Sequence, residues 1–383
     1  MKTDYLQKEL QDLESLGLYR SLKTVESAQG REIVLDGHRV LNFCSNDYLG
    51  LANDARIKAA GIEGIEKYGF GSGASRLICG NMSPHEGLEV DLALLKKTER
   101  SLIFSSGYMA NTGIISALMD RDSVILSDRL NHASIVDGIV LSRAKLMRYP
   151  HVDMQALEEI LKDLPARQRK LIVTDSVFSM DGDRAPLSEI VDLAKRYEAM
   201  VMVDEAHAFG LFGRHGGGLV EELGLSAQVD IQMGTLSKAA GCFGAYVCGT
   251  KILCDYLINK SRSFIYTTAM PPALAYAAQR ALQIIHQEDQ LRCNVRKNAD
   301  YLRAQLKEMG LDTMNSTTPI VPILIKDSVK AKRMSQQLLE RGIFVQAIRH
   351  PTVPKDTARL RLTVMATHTQ DDLDQLLNAL RVL

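Results

Sequence analysis

The sequence predicts an α/β protein: a large domain on a mostly parallel sheet covered by helices, and a smaller α+β domain toward the carboxyl terminus. Three observations predict it. Short continuous apolar runs at residues 101–104, 123–126, 171–174 and 200–203 read as strands covered on both faces, as parallel strands are. Between the last two, Leu187, Ile190, Val191 and Ala194 fall on one helical stripe, which gives a β–α–β rhythm. The rhythm changes near Met270-Pro271-Pro272, where a second unit begins.

In chain order, residues 1–19 predict an amphipathic helix, with Leu6, Leu10, Leu13 and Leu16 at three- and four-residue steps. Two β-like runs, 32–35 and 40–43, flank Asp36-Gly37, a hairpin signal. The alternating strands and helices occupy residues 46–272. Beyond them come a long helix-compatible stretch (274–309), an apolar run at 319–325, another helix, a strand near Ile343 and a final helix from Gln370. The expected division is 1–45, a helix and hairpin packed on the small domain; 46–272, the large α/β domain; and 273–383, the α+β domain. No internal repeat or low-complexity segment is present.

Composition narrows the function classes. Lys+Arg and Asp+Glu are equal at 46 each among 383 residues, so no net field draws the chain to nucleic acid or an acidic membrane. No apolar run has the length of a membrane span, and the charged start Met1-Lys2-Thr3-Asp4 lacks a signal-peptide core. Six cysteines with no CxxC spacing read as free thiols of a reducing compartment. A cytoplasmic protein is expected, with no structural metal.

The chemistry-bearing signals are four. Val201-Met202-Val203-Asp204-Glu205-Ala206-His207 is a strand that delivers a carboxylate to the carboxyl edge of a sheet, where open α/β folds bind ligands. Such an aspartate can also cap the next turn, and with His207 it lacks the third ligand a metal would need. Gly234-Thr235-Leu236-Ser237-Lys238-Ala239-Ala240-Gly241 follows an apolar strand. Thr235 and Ser237 could bind a phosphate, and small neighbours let a bulky group approach the backbone. A lysine there is partly desolvated, as a Schiff-base lysine must be to act as a neutral amine.

Phe104-Ser105-Ser106-Gly107-Tyr108 ends a strand and opens a helix, so free N–H groups and the helix dipole would face an anion. Alone, that junction is weakly diagnostic. Asn131-His132-Ala133-Ser134 offers a histidine beyond another strand; singly, such a histidine is more often structural. The glycine-rich stretch 69–75 is not a dinucleotide fingerprint, because no apolar strand precedes it; a substrate-side loop is expected.

Taken together, Asp204-Glu205-Ala206-His207, Gly234-Thr235-Leu236-Ser237-Lys238 and Asn131-His132-Ala133-Ser134 resemble the α-oxoamine synthases, fold-type-I pyridoxal-phosphate enzymes that condense an amino acid with an acyl thioester and release CO2. The resemblance runs from about Leu18 to the carboxyl terminus. Asn42-Phe43-Cys44-Ser45-Asn46-Asp47-Tyr48-Leu49-Gly50 and Val177-Phe178-Ser179-Met180-Asp181-Gly182-Asp183 recur across the family. Ile265-Tyr266-Thr267-Thr268-Ala269-Met270-Pro271-Pro272 and Ile348-Arg349-His350-Pro351-Thr352-Val353-Pro354 resemble the member that joins L-alanine to a pimeloyl thioester in biotin biosynthesis. Ser75-Arg76-Leu77-Ile78-Cys79-Gly80 also resembles the glycine-using members.

The resemblance implies an acyltransferase with a seven-stranded sheet, pyridoxal 5'-phosphate as cofactor, L-alanine and pimeloyl-CoA or pimeloyl-ACP as substrates, and a homodimer. It implies that Lys238 bonds the cofactor and takes the alanine α-proton, that Asp204 holds the ring nitrogen, and that His132 stacks on the ring. His207 and Ser179 would bind the ring oxygen. The phosphate would be held by Gly107, Tyr108, Thr235 and Ser237, with Thr267 and Thr268 reaching the partner's. Arg20 and Thr352 would contact the acyl substrate, Arg349 the alanine carboxylate, and Asn46 the reacting carbonyl; His132 also faces the substrate. A non-catalytic relative would lack Lys238.

Overall fold

The computed structural model describes residues 2–16 and 18–383. Its strands are β1 (Glu32–Leu35), β2 (His38–Asn42), β3 (Arg100–Phe104), β4 (Val124–Asp128), β5 (Lys145–Tyr149), β6 (Lys170–Asp175), β7 (Met200–Asp204), β8 (Ile231–Thr235), β9 (Ala245–Gly249), β10 (Ile320–Lys326), β11 (Ile343–Phe344), β12 (Gln346–Ile348) and β13 (Ala358–Thr363).

Seven of them make the central sheet, in the order β3-β9-β8-β7-β6-β4-β5. The strands from β8 to β5 pair in parallel, and β4, β6, β8 and β9 are buried throughout, as sheets clothed on both faces require. β9 runs against both neighbours. The reason is local. Only residues 236–244 join β8 to β9, too few for a helical crossover, so the chain turns straight back. That short return carries Lys238. Two apolar clusters pack the sheet's opposite faces, one holding Ile172, Val201 and Val203, the other Leu171, Val173 and Met202. Alternate side chains of one strand therefore enter different cores.

The hairpin forms as its turn chemistry predicts: β1 pairs antiparallel with β2, and Asp36 and Gly37 both take positive φ. β2 then pairs in parallel with β11, and Leu41 and Phe43 enter the core built around β10, β13 and the helices Asp289–Glu308, Ser328–Glu340 and Gln370–Arg381. The helix-compatible stretch 274–309 is two helices, Pro272–Gln287 and Asp289–Glu308. Glu288 leaves the helical region between them (φ −109°, ψ 76°), and its carboxylate pairs with Arg56. The amino-terminal helix spans Asp4–Ser15 and buries none of its side chains. No helix among the described residues is long and apolar enough to cross a membrane.

Candidate active site

Parallel strands deliver their carboxyl ends to one edge, and the motif residues follow from that edge. Asp204 ends β7, Asp175 ends β6 and Thr235 ends β8. His132 caps the helix Ala133–Ser142 just beyond β4. Ser106 caps the helix Gly107–Leu118 just beyond β3, its hydroxyl accepting from Met109 N–H at 3.3 Å. The first N–H groups of that helix, those of Gly107 and Tyr108, lack intrahelical acceptors by geometry. The Tyr108 hydroxyl is turned away and donates to Asp137.

Lys238 Nζ lies 2.8 Å from His207 Nε2. Burial pushes its pKa down to about 8 against the opposing pull of Asp204 and Asp175. His207 is held well below its ordinary value by burial and then by the Lys238 charge, so it is neutral. Asp204 is locked on both oxygens. Asn111 Nδ2 donates to Oδ2 at 2.8 Å and Ala206 N–H to Oδ1 at 2.8 Å. Asp175 accepts from His132 N–H at 2.7 Å, and burial with the nearby Asp204 charge raises its pKa well above the usual carboxylate range. His132 Nδ1 meets Ser134 Oγ at 2.7 Å, and burial lowers its pKa although Asp204 pulls the other way. Thr235 Oγ1 and Ser237 Oγ are 2.6 Å apart.

From the other side comes β13. Arg361, 7% exposed, donates from Nε to Ser179 O at 2.6 Å and from Nη2 to Asn46 Oδ1 at 3.2 Å. Its neighbour Arg359 pairs with Asp181. His151 bridges Asp128 at 3.1 Å and Asp183 at 2.8 Å, tying the end of β4 to the Ser179 loop. His151, Asp181 and Asp183 have ligand atoms within 4.8 Å of one another, and the cationic Arg359 already serves Asp181.

The sequence-predicted residues therefore fall in three groups. Lys238, His207, Asp204, His132, Asn46, Ser179, Thr235 and Ser237 gather at the sheet edge, directly or through Arg361. Arg20 and Thr352, 332 residues apart, meet at 3.4 Å. Thr267 and Thr268 line a small cavity with Ser105 and Phe264, and Thr268 is exposed. Arg349 lies in the Thr352 turn, where Thr352 N–H donates to its carbonyl at 3.0 Å; the guanidinium that reaches Asn46 is that of Arg361. Four residues of the site carry no role in the sequence reading: Tyr48, Asn111, Asp175 and Arg361. Asp175 had a signal, since an apolar strand ends in it just as β7 ends in Asp204. Arg361 had none. Arg-Leu-Arg-Leu alternation reads as a half-solvated strand, yet all of β13 is buried.

A family model of class I and II aminotransferases matches residues 38–380. The 8-amino-7-oxononanoate synthase of Geobacter sulfurreducens is 50% identical over 374 residues, covering 97% of this chain and 96% of that protein. The chain belongs to the class I and II aminotransferase family, among the 8-amino-7-oxononanoate synthases. The synthase of Thermosipho melanesiensis is 48% identical, with 96% and 94% covered. Among solved structures, a serine palmitoyltransferase from S. paucimobilis with PLP and myriocin bound matches at TM-score 0.94 and 34% identity, covering 100% of this chain and 97% of that one. The Francisella tularensis 8-amino-7-oxononanoate synthase matches at 0.79 and 32%, with 90% and 97% covered.

Membership makes the fold that of the fold-type-I transferases, as the motifs implied, and makes the cofactor pyridoxal 5'-phosphate. The donor set here fits that group. It combines a half-buried primary amine of lowered pKa, a carboxylate fixed on both oxygens, a neutral histidine, paired hydroxyls and a helix N-terminus at one sheet edge.

Proposed function

We propose that this chain joins L-alanine to the acyl carbon of a pimeloyl thioester, releasing CO2 and the thiol, and that the sheet-edge site performs the step. One observation carries the assignment of roles: the half-buried Lys238 amine stands 2.8 Å from neutral His207, with Asp204 immobilised nearby.

In this reading Lys238 Nζ holds the cofactor's aldehyde carbon, and Gly107 and Tyr108 N–H with Thr235 and Ser237 hold its phosphate. Thr267 and Thr268 extend toward the phosphate of a second subunit. When bound, the protonated pyridine ring supplies an electron sink. Asp204 keeps the ring nitrogen protonated, because a nearby carboxylate favours the cationic form. His132 would cover the ring face, and His207 and Ser179 would hold the ring oxygen. Lys238 Nζ would take the alanine α-proton; its lowered pKa, about 8, leaves a usable fraction of free amine near neutrality.

A guanidinium pairs with the alanine carboxylate. The sequence points to Arg349; the contact with Asn46, beside the expected reacting carbonyl, favours Arg361. Arg20 and Thr352 take the acyl chain or its far carboxylate. A homodimer, a cytoplasmic location and a division of the chain at residues 45 and 272 belong to the same reading.

The deciding assay is L-alanine with pimeloyl-CoA or pimeloyl-ACP against glycine with acetyl-CoA, followed by CO2 release. Arg20→Ala should weaken the acyl substrate and leave alanine binding intact. Preference for glycine and acetyl-CoA would reassign the chain to the glycine-using chemistry, and Arg76 with its loop would be the first place to look.

A further inference from the structure

A hydrogen-bonded file of side chains runs away from Lys238. His207 Nε2 faces Lys238 Nζ at 2.8 Å, and His207 Nδ1 faces the Tyr48 hydroxyl at 2.7 Å. The Tyr48 hydroxyl also reaches Asn46 Oδ1 at 3.2 Å, the same oxygen that accepts from Arg361. Tyr48 is fully buried and His207 nearly so.

With Lys238 as its ammonium, donor counting gives the file one direction. An ammonium has protons to give and no lone pair, so His207 must accept at Nε2. A neutral imidazole then carries its proton on Nδ1, and that proton goes to the Tyr48 oxygen. The Tyr48 proton in turn points at Asn46 Oδ1, which has only lone pairs to offer. We propose that Tyr48 is a positioning residue: by accepting the Nδ1 proton of His207 it turns the Nε2 lone pair onto Lys238 and holds that lysine as its ammonium until the cofactor arrives.

The charged and titratable groups around the file are few. His207 feels Lys238, Arg361 and His132, Tyr48 feels Arg361, and Lys238 feels Asp204, Asp175 and Arg361. Removing the hydroxyl strands a buried Nδ1–H only while Lys238 is charged. A stranded buried donor is costly, so Tyr48→Phe shifts the balance toward the free amine. Its proton is lost about one pH unit lower, a tenfold change in proton affinity.

The inference rests on Lys238 being the lysine that bonds the cofactor, and the experiment separates the two. Full-length protein freed of cofactor is mixed with pyridoxal phosphate across a pH series, and capture is followed by absorbance. Only the free amine adds to the aldehyde carbon, with water leaving, so the rate reports Lys238 ionisation. Wild type should inflect near pH 8 and Tyr48→Phe about one unit lower, with borohydride fixing the label on Lys238 in both. Label on another lysine overturns the reading of the site itself. Label on Lys238 with an unmoved inflection overturns the role of Tyr48. A second measurement needs no Tyr48 variant. In [15N]histidine-labelled protein at about pH 6.5, below the Lys238 inflection, the His207 signal, assigned by its loss in His207→Gln, should show the proton on Nδ1. A proton on Nε2 overturns the proposal.

Discussion

Arg361 reaches from β13 to donate through Nε to the carbonyl oxygen of Ser179 at 2.6 Å. The same guanidinium holds Asn46. One buried arginine of the carboxyl-terminal sheet thus fixes two loops that frame Lys238. Gly182 belongs to one of them: it has φ +72°, and a Cβ there would lie 2.2 Å from Ile320 O. The loop is pressed onto β10 as closely as a backbone can be.

The first prediction concerns that guanidinium. Arg361→Lys keeps the charge and loses the planar fork that pairs with a carboxylate. Steady-state kinetics should show the KM for alanine raised by about tenfold or more, with Arg349→Ala much milder. The reverse pattern would return the carboxylate to Arg349.

Asp204→Asn keeps the shape of the side chain and its contacts with Asn111 and Ala206, but removes the negative charge. Cofactor binding, followed by absorbance, should survive. Turnover should fall at least about a hundredfold, the scale of a lost catalytic electrostatic contact. Near-normal turnover would mean that another group holds the ring nitrogen.

His151 predicts a pH-dependent clamp. Burial opposes its charge, but the hydrogen bonds it donates to Asp128 and Asp183 outweigh that and raise its pKa from 6.5 to about 9. A raised folded-state pKa stabilises fully below the ordinary value and loses that contribution as pH climbs through the folded one. The thermal midpoint of the wild type should therefore exceed that of His151→Gln most below pH 6.5. The gap should close as pH rises through about 9. A gap independent of pH would mean that His151 acts by packing against Phe178, whose ring it meets edge-on at 4.4 Å.

Lys96 and Glu205 form an ion pair with side chains only 1% and 0% exposed, directly behind Asp204. Lys96→Met leaves the Glu205 carboxylate buried and unpaired, which should cost about 3–5 kcal/mol in denaturant unfolding. Lys96→Met with Glu205→Leu should recover much of that loss, since an apolar pair of similar volume replaces a buried ion pair at little cost. Equal losses in the single and double variants would show that the pair's worth lies in shape alone.

What the sequence determined by itself is what short stretches of chain can encode. Continuous apolar runs specify doubly covered strands. A strand ending in Asp204, another followed by Thr235 and Ser237, and a helix opening at Gly107 specify one ligand-binding edge, because parallel strands share their carboxyl ends. Asp36-Gly37 specifies a hairpin, because few residue pairs accept positive φ together. Tertiary structure alone decided what depends on segments far apart in the chain. Arg361 meets Asn46 across 315 residues, Arg20 meets Thr352 across 332, and Tyr48 meets His207 across 159. An arginine in an alternating strand looks the same whether its outward face meets water or a neighbouring domain. Its burial, and with it the Arg361 fork on Ser179 and Asn46, follows from the docking of β13 against the Ser179 loop. The same holds for the partners of the Tyr48 hydroxyl, His207 Nδ1 and Asn46 Oδ1, which only packing brings together. A hydroxyl can give or accept a proton, and only its packed neighbours decide which.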